Sequence, residues 1–367
     1  MSLRVLLIEP YYGGSHRAWA DGYRAFSNHK VDLLTLPASF WKWRMQGGAV
    51  TLARLYDDLP HAPDVILASD MFDLAAFRAL TRRRTASIPT ALYFHENQLT
   101  YPQNARQGHG WRYGFTNYIS ALAADHVFFN SPFHLEAFFA TLPKMLKHFP
   151  DYNELESVAA LCQRADVLPL GLDLRRYNAH RGGEISRGAP PLILWNHRWE
   201  TDKNPDSFFA ALDALAAADV PFRVALTGEN FQMQPVAFEA ARKRLGARVV
   251  QYGYIADFAA YARLLWQADY AVSTAYQDFF GAAVVEAMYC GCVPLLPDRL
   301  NYPALIPEGQ RALCLYPDDR LHPLLLRHLR GEISVDMDRL QGSAARFDWL
   351  QVAPQYDTAL TRLAQRK

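Results

Sequence analysis

The chain has 367 residues, long enough for two domains that each bury a core of their own, and its composition, half hydrophobic and 20% charged, is ordinary for a globular protein. A formal net charge of +1 excludes a global field that would draw the chain to nucleic acid or an anionic membrane, and leaves only local patches for such partners. The cysteines, Cys162, Cys290, Cys292 and Cys314, have neither disulfide-framework nor zinc-ligand spacing, which fits small core packing and a reducing cytoplasm.

The N-terminus runs from Met1 and Ser2 straight into a short apolar strand that ends at Glu9-Pro10, too brief and too soon interrupted for a signal peptide. No apolar run reaches the roughly 18 residues of a membrane-spanning helix, so no stable membrane association is expected. Strands are predicted at 4–8, 31–36, 64–68, 90–94, 126–130 and 167–170, then at 192–195, 223–227, 249–252, 270–274, 293–296 and 312–316. Amphipathic segments separate them, the rhythm of parallel sheets built from right-handed βαβ units. The predicted class is α/β: two Rossmann-like, doubly wound domains with an interdomain cleft at the strands' carboxyl ends. The first domain is expected over 1–174 and the second over 192–345. Residues 175–191, with Gly182, Gly183, Gly188, Pro190 and Pro191, read as the linker.

The loops at those carboxyl ends are unusually polar. After the first strand comes Glu9-Pro10-Tyr11-Tyr12-Gly13-Gly14-Ser15-His16, where paired glycines before a helix can admit a phosphate or sugar against the backbone, or simply make a tight turn. It is neither the dinucleotide fingerprint nor a Walker loop. After the fourth strand comes His95-Glu96-Asn97-Gln98-Leu99. Leu99 stands where a zincin helix needs its second histidine, so no metal site is read here. His95 is either a structural hydrogen bonder or a site residue.

The second half opens with Asn196-His197-Arg198-Trp199-Glu200-Thr201-Asp202-Lys203. Arg198 and Lys203 flank a turn after a strand, where two cations can neutralise a departing diphosphate without a metal. The blander reading is a solvated turn. Further on, Asp278-Phe279-Phe280-Gly281 leads into a helix that carries Glu286. A glycine there lets the backbone approach a ligand, and the helix N-terminus suits a diphosphate. The two carboxylates are placed to accept hydrogen bonds from sugar hydroxyls, which outlines a nucleotide-sugar site. The Asp336-Met337-Asp338 pattern near the C-terminus reads as surface charge.

Together these residues resemble retaining glycosyltransferases of family 4, whose two-domain fold is called GT-B. The family's acid-x7-acid motif matches Asp278 to Glu286, its Arg-x4-Lys clamp matches Arg198 and Lys203, its N-terminal-domain histidine matches His95, and its glycine-rich first loop matches Gly13-Gly14. Val167 to Asp173 is similar to the segment closing the first domain, and Arg346 to Trp349 to the start of the family's tail, which implies that helix 346–367 packs back onto the first domain. A narrower resemblance, to the tRNA-queuosine alpha-mannosyltransferases, rests on Glu9 to His16, on Thr35 to Ala38 with Trp41 to Arg44, on Tyr93 to Gln98 with Tyr101-Pro102, on His197 to Glu200 with Asp202-Lys203, and on Phe279 to Gly281 with Tyr289 to Cys292. It implies mannose transfer from GDP-mannose to queuosine in a tRNA anticodon. Two departures stand out: Asp278 is one methylene shorter than the family's usual glutamate, and Gly171-Leu172-Asp173 looks more like generic family 4 enzymes.

On that resemblance the expected chemistry is metal-independent retaining transfer, with no cofactor beyond the nucleotide sugar. Arg198, Lys203 and the helix after Gly281 stabilise the diphosphate, Glu286 binds ribose, Asp278 holds the sugar and His95 orients it. Gly13, Gly14, Phe280 and Gly281 complete the donor site, with the base near Tyr252-Gly253-Tyr254. Acceptor contacts are expected from Ser15, His16, Trp41, Arg44, Glu96, Asn97, Gln98, Arg106 and Arg112. Further basic candidates are Arg78 with Arg82 to Arg84. Two alternatives stand beside this reading: a family 4 transferase with a lipid, glycan or small-molecule acceptor, and a non-catalytic nucleotide-sugar or RNA-binding protein.

Overall fold

A computed structural model describes residues 2–101, 110–182, 188–229, 236–318 and 320–365. Arg106 therefore lies outside the described residues, as does part of the 175–191 stretch. The chain divides into two compact units, Met1–Leu172 with Trp349–Lys367, and Asp173–Asp348.

In the first unit, six strands form one parallel sheet in the order β2-β1-β3-β4-β5-β6. They are β1 (Arg4–Tyr12), β2 (Lys30–Pro37), β3 (Val65–Ser69), β4 (Thr90–Phe94), β5 (His126–Phe129) and β6 (Ala165–Val167). Central strands such as Val65–Ser69 and Thr90–Phe94 are buried at every position, which is why they read as unbroken apolar runs and not as alternating ones. The second unit repeats the plan with β7 (Leu192–Asn196), β8 (Arg223–Thr227), β9 (Val249–Tyr252), β10 (Tyr270–Val272), β11 (Val293–Pro297) and β12 (Leu315–Tyr316), ordered β12-β11-β10-β7-β8-β9.

Strand order reverses between β1 and β3 in the first sheet and between β7 and β10 in the second. Crossover helices leave toward opposite edges at those points, so a crevice opens outside the carboxyl ends of the two strands, where ligands of doubly wound sheets bind. The polar end of β1 from Glu9 onward and the loops that follow Ser69, Asn196 and Val272 lie at those carboxyl ends.

Several strand boundaries differ from expectation: β1 runs on to Tyr12 and β10 stops at Val272. The strand predicted at 167–170 is shifted back to Ala165–Val167, because Pro169 has no N–H for a ladder, although Leu168 still donates to the Phe129 carbonyl at 2.9 Å. The strand predicted at 312–316 shortens to Leu315–Tyr316 because Arg311–Cys314 closes a helical turn.

The last helix, Trp349–Gln365, belongs to the first unit. Trp349 is 1% exposed, and a Cβ added at Gly22 or Gly171 would overlap its indole. Asp357 accepts from Tyr23 Oη (2.9 Å), Ser27 Oγ (2.6 Å), Asn28 N (2.8 Å) and Asn28 Nδ2 (3.2 Å), tying the helix to the turn before β2. Among the described residues no helix is long and apolar enough to cross a membrane.

Candidate active site

The second unit gathers the predicted clamp and the predicted acids around one loop. β7 ends in Asn196, whose amide donates to Tyr261 Oη (3.1 Å) and to the Ala283 carbonyl (3.0 Å), fixing the strand end to the helix Ala282–Tyr289. His197 is buried. Burial and the nearby Lys203 lower its pKa to about 4, leaving the ring neutral. Its carbonyl lies so close to Gly228 (φ +143°) that any side chain there would collide with it.

Lys203 sits in the 3-10 turn Thr201–Lys203 and is 8% exposed. Its ammonium donates to the Gln277 carbonyl and lies 3.3 Å from Asp202 Oδ2. Thr274 Oγ1 donates to the carbonyls of Lys203 (2.9 Å) and Asn204 (2.8 Å), and Tyr276 N donates to the Asp202 carbonyl (2.8 Å). The cationic turn and the acidic loop are therefore stitched together by backbone. Arg198 is exposed, with its guanidinium 3.4 Å from Glu200.

Asp278 is hydrogen-bonded within its own loop and to Tyr302. Its Oδ1 accepts from Phe280 N (3.3 Å) and Gly281 N (2.9 Å), and its Oδ2 accepts from Tyr302 Oη (3.2 Å). The short carboxylate folds back to pin its own loop. Gly281 holds φ +96°, with Leu305 and Tyr302 where a Cβ would point. Buried polar atoms with no hydrogen-bond partner among the described residues belong to this loop and its neighbours: Gln277 Nε2, Asn204 Nδ2 and Asn301 Oδ1. Leaving such groups unmade is costly, and a polar ligand at the loop would satisfy them. Glu286 is partly buried, and burial raises its pKa against the opposing pull of Arg176 and the hydroxyls of Tyr177 and Tyr261. At the predicted base site, Tyr252 donates to Glu239 at 2.9 Å, Gly253 takes φ +99°, and Tyr254 is exposed.

In the first unit, Gly13 precedes the helix Gly14–Phe26, and a side chain on it would strike Ala38, whereas Gly14 (φ +51°) faces open space. Ser15 is exposed and His16 buried. His16 Nδ1 lies 3.1 Å from Oε2 of Glu9, which is wholly buried, and its ring is 4.3 Å from that of His95. Burial alone would lower the His16 pKa, but the Glu9 carboxylate overrides it and lifts the group to about 9. His95 is the opposite case: burial, then the charge on His16, holds its pKa well below the usual histidine value. It is walled by Trp19 (4.5 Å) and Tyr93 (4.8 Å), and its Nε2 has no hydrogen-bond partner among the described residues, with Glu9 Oε2 at 3.9 Å.

Glu9, His16 and His95 thus offer ligand-type atoms within 4.8 Å of one another. A cation there would have to displace the proton that the Glu9–His16 pair shares, so the arrangement reads as an imidazolium–carboxylate pair beside a neutral imidazole. Asp70, just after β3, accepts from His95 N at 2.8 Å, and burial raises its pKa well above the carboxylate range. Its Oδ2 has no hydrogen-bond partner among the described residues.

Of the other predicted acceptor residues, Glu96 accepts from Gln98 Nε2 at 2.9 Å. Asn97 is fully buried, and its Oδ1 accepts from Leu99 N (3.0 Å) and Thr100 N (2.8 Å), so it shapes the loop. Trp41 packs against Tyr113 (5.2 Å) and Arg44 donates to the Pro37 carbonyl (3.0 Å) and Ser39 Oγ (3.2 Å). Arg112 is exposed. The Arg78 and Arg84 candidates are committed to carbonyls, Arg78 to Ala123 and Arg84 to Tyr56, Asp57 and Leu59. Sequence reading missed Asp70, Arg176, Tyr261 and the part played by Glu9. An acid directly after a buried strand was the available signal for Asp70; Arg176 and Tyr261 come from distant segments with no local pattern.

Residues 4–172 match the family model described as tRNA-queuosine alpha-mannosyltransferase N-terminal, and residues 178–334 match glycosyl transferases group 1. The tRNA-queuosine alpha-mannosyltransferase of Drosophila melanogaster is 34% identical over 311 residues, covering 83% of this chain and 82% of the relative. A GDP-mannose-dependent alpha-(1-6)-phosphatidylinositol dimannoside mannosyltransferase of Mycobacterium tuberculosis is 33% identical over 208 residues, 54% of this chain and 52% of the relative. Among solved structures, Anabaena HepE in complex with UDP and glucose shares the fold at a TM-score of 0.67 and 16% identity, covering 98% of this chain and 99% of that chain. The two six-stranded parallel sheets are those of a GT-B glycosyltransferase, and the chain belongs to the tRNA-queuosine alpha-mannosyltransferase family.

Proposed function

We propose that the protein is a cytoplasmic, metal-independent enzyme that moves mannose from GDP-mannose to queuosine in a tRNA anticodon, with retention at the sugar's anomeric carbon. In the reaction the bond from that carbon to the diphosphate breaks, a bond to a queuosine hydroxyl oxygen forms on the same face, and the hydroxyl proton leaves with the diphosphate. The observation that carries the acceptor is the family match across residues 4–172.

The second unit is the donor side. Lys203 and Arg198 oppose the negative charge that grows on the leaving diphosphate, and Lys203, being buried, does so where the field is least screened. The unpaired Gln277 Nε2 and Asn301 Oδ1 are further contacts for a polar donor. Asp278 serves chiefly by holding Gly281 and Tyr302 in place, and Glu286 takes the ribose. In the first unit, His95 is neutral with an Nε2 that has no partner among the described residues, and His95, His16, Ser15 and Glu96 are the proposed substrate contacts of that unit.

The test is transfer of labelled mannose from GDP-mannose to tRNA that carries queuosine, beside the same tRNA with guanosine at that position. Label confined to the queuosine tRNA supports the reading. Equal labelling of both, or label appearing only in a lipid fraction, would discard it.

A further inference from the structure

The segment between β2 and the helix Trp41–Asp57 breaks local rules in three ways. Phe40 occupies the N-cap with φ 51° and no side-chain cap bond, a left-handed conformation that a bulky residue enters only at a cost. The first turn holds no acid but carries Lys42 and Arg44, so cations sit at the end of the helix where the dipole disfavours them. Two large aromatics stand in solvent, Phe40 at 81% exposed and Trp43 at 61%. Strain, adverse charge and exposed apolar surface in one place point to function, since nothing in folding rewards them.

The local packing presents these rings. Arg44 donates to the Pro37 carbonyl at 3.0 Å and to Ser39 Oγ at 3.2 Å, holding the turn from which Phe40 projects. Trp41 packs on Tyr113 and is not one of the open faces. The Trp43 indole lies along its own helix over Gly47, where an added Cβ would meet ring atoms at 2.6–2.9 Å, so one face is backed by the helix and the other is open.

We infer that Phe40 and Trp43 form a stacking platform for unpaired bases of the substrate RNA beside its modified nucleotide. The inference rests on the tRNA reading above. Sequence-specific RNA recognition targets single-stranded loops whose bases splay onto aromatic faces, with neighbouring cations for the phosphates. Lys42 on the same turn supplies the charge complementarity that a purely apolar partner would not need. Trp43 lies in the basic and aromatic stretch Trp41-Lys42-Trp43-Arg44 that the sequence offers for tRNA, whereas Phe40, just before it, carries no such signal; Trp41 and Arg44 are half-buried and packed locally.

Affinity for queuosine-containing tRNA would be measured by fluorescence anisotropy for the wild-type chain and for Phe40→Gly, Trp43→Ala and Gly47→Ala. Stacking one base on an aromatic is worth roughly a 5- to 150-fold change in affinity, so Phe40→Gly and Trp43→Ala should each weaken binding within that range. Gly47→Ala should weaken it while keeping every aromatic, by displacing the Trp43 ring. Glycine also relieves the left-handed strain, so Phe40→Gly should raise the melting temperature while lowering affinity, a combination that a merely structural Phe40 would not produce. Unchanged affinity in both aromatic variants would overturn the platform while leaving the mannosyltransferase reading in place. So would a loss of binding to phosphatidylserine vesicles with tRNA affinity intact. A wild-type chain that binds the tRNA no better than an unrelated RNA would overturn both.

Discussion

At the scale of single residues, the first unit's site is governed by one buried acid. Glu9 holds His16 charged, and the charged His16 in turn helps hold His95 neutral. Because the folded chain lifts His16 to about 9, above an unfolded value near 6.5, folding tightens its proton. That contribution to stability is complete below roughly pH 6.5 and is lost as the pH rises through about 9. In Glu9→Gln the lift disappears and burial prevails, so the His16 titration followed by NMR should move to below about 6.5. A His16 that still titrates near 9 in this variant would remove Glu9 from the account. In the second unit, Lys203→Met keeps the buried stem but deletes the charge. Removing a preorganised electrostatic contact to a developing anion costs about 10²–10³ in kcat, and a loss of that order is expected in the folded variant; turnover within a few-fold of wild type would take Lys203 out of the clamp.

At the scale of elements, the C-terminal helix is held by shape as much as by polarity. Trp349 fills the space left by Gly22 and Gly171, and Asp357 gathers hydrogen bonds from Tyr23, Ser27 and Asn28. Trp349→Ala empties a large buried site and should cost about 3–5 kcal/mol of unfolding free energy in chemical denaturation; a cost under about 1 kcal/mol would show that the helix is not docked as described. The loop before the helix Ala282–Tyr289 makes a second case. Its motif was legible as a nucleotide-sugar signature, because glycine before a helix and acids at either end have a direct physical meaning. The hydrogen bond of Asp278 to Tyr302 was not legible, since Tyr302 arrives from beyond β11. The same limit explains Arg78 and Arg84: as sequence they are a basic patch, and only the fold brings carbonyls of other segments to them.

At the scale of the whole molecule, alternating apolar runs were enough to read two parallel-sheet units, because strands buried on both faces leave a signal that depends on no partner. Strand order was not legible, and it is the order, β2-β1-β3 in one sheet and β10-β7-β8 in the other, that sets which loops meet at a switch point. The near-neutral net charge of +1 also belongs to this scale. With affinity for RNA drawn from a few local cations and aromatic faces, the salt dependence should be shallow. Each phosphate contact to single-stranded RNA contributes a slope of about −0.7 in log K against log salt, and a total near −3 or shallower is expected; a slope near −8 would contradict it.

Queuosine-containing tRNA would be incubated with the purified chain and GDP-mannose, digested to nucleosides and weighed by mass spectrometry. Queuosine should gain one hexose, and the gain should be lost with Lys203→Met. Unmodified queuosine in the presence of active, donor-hydrolysing enzyme would contradict it.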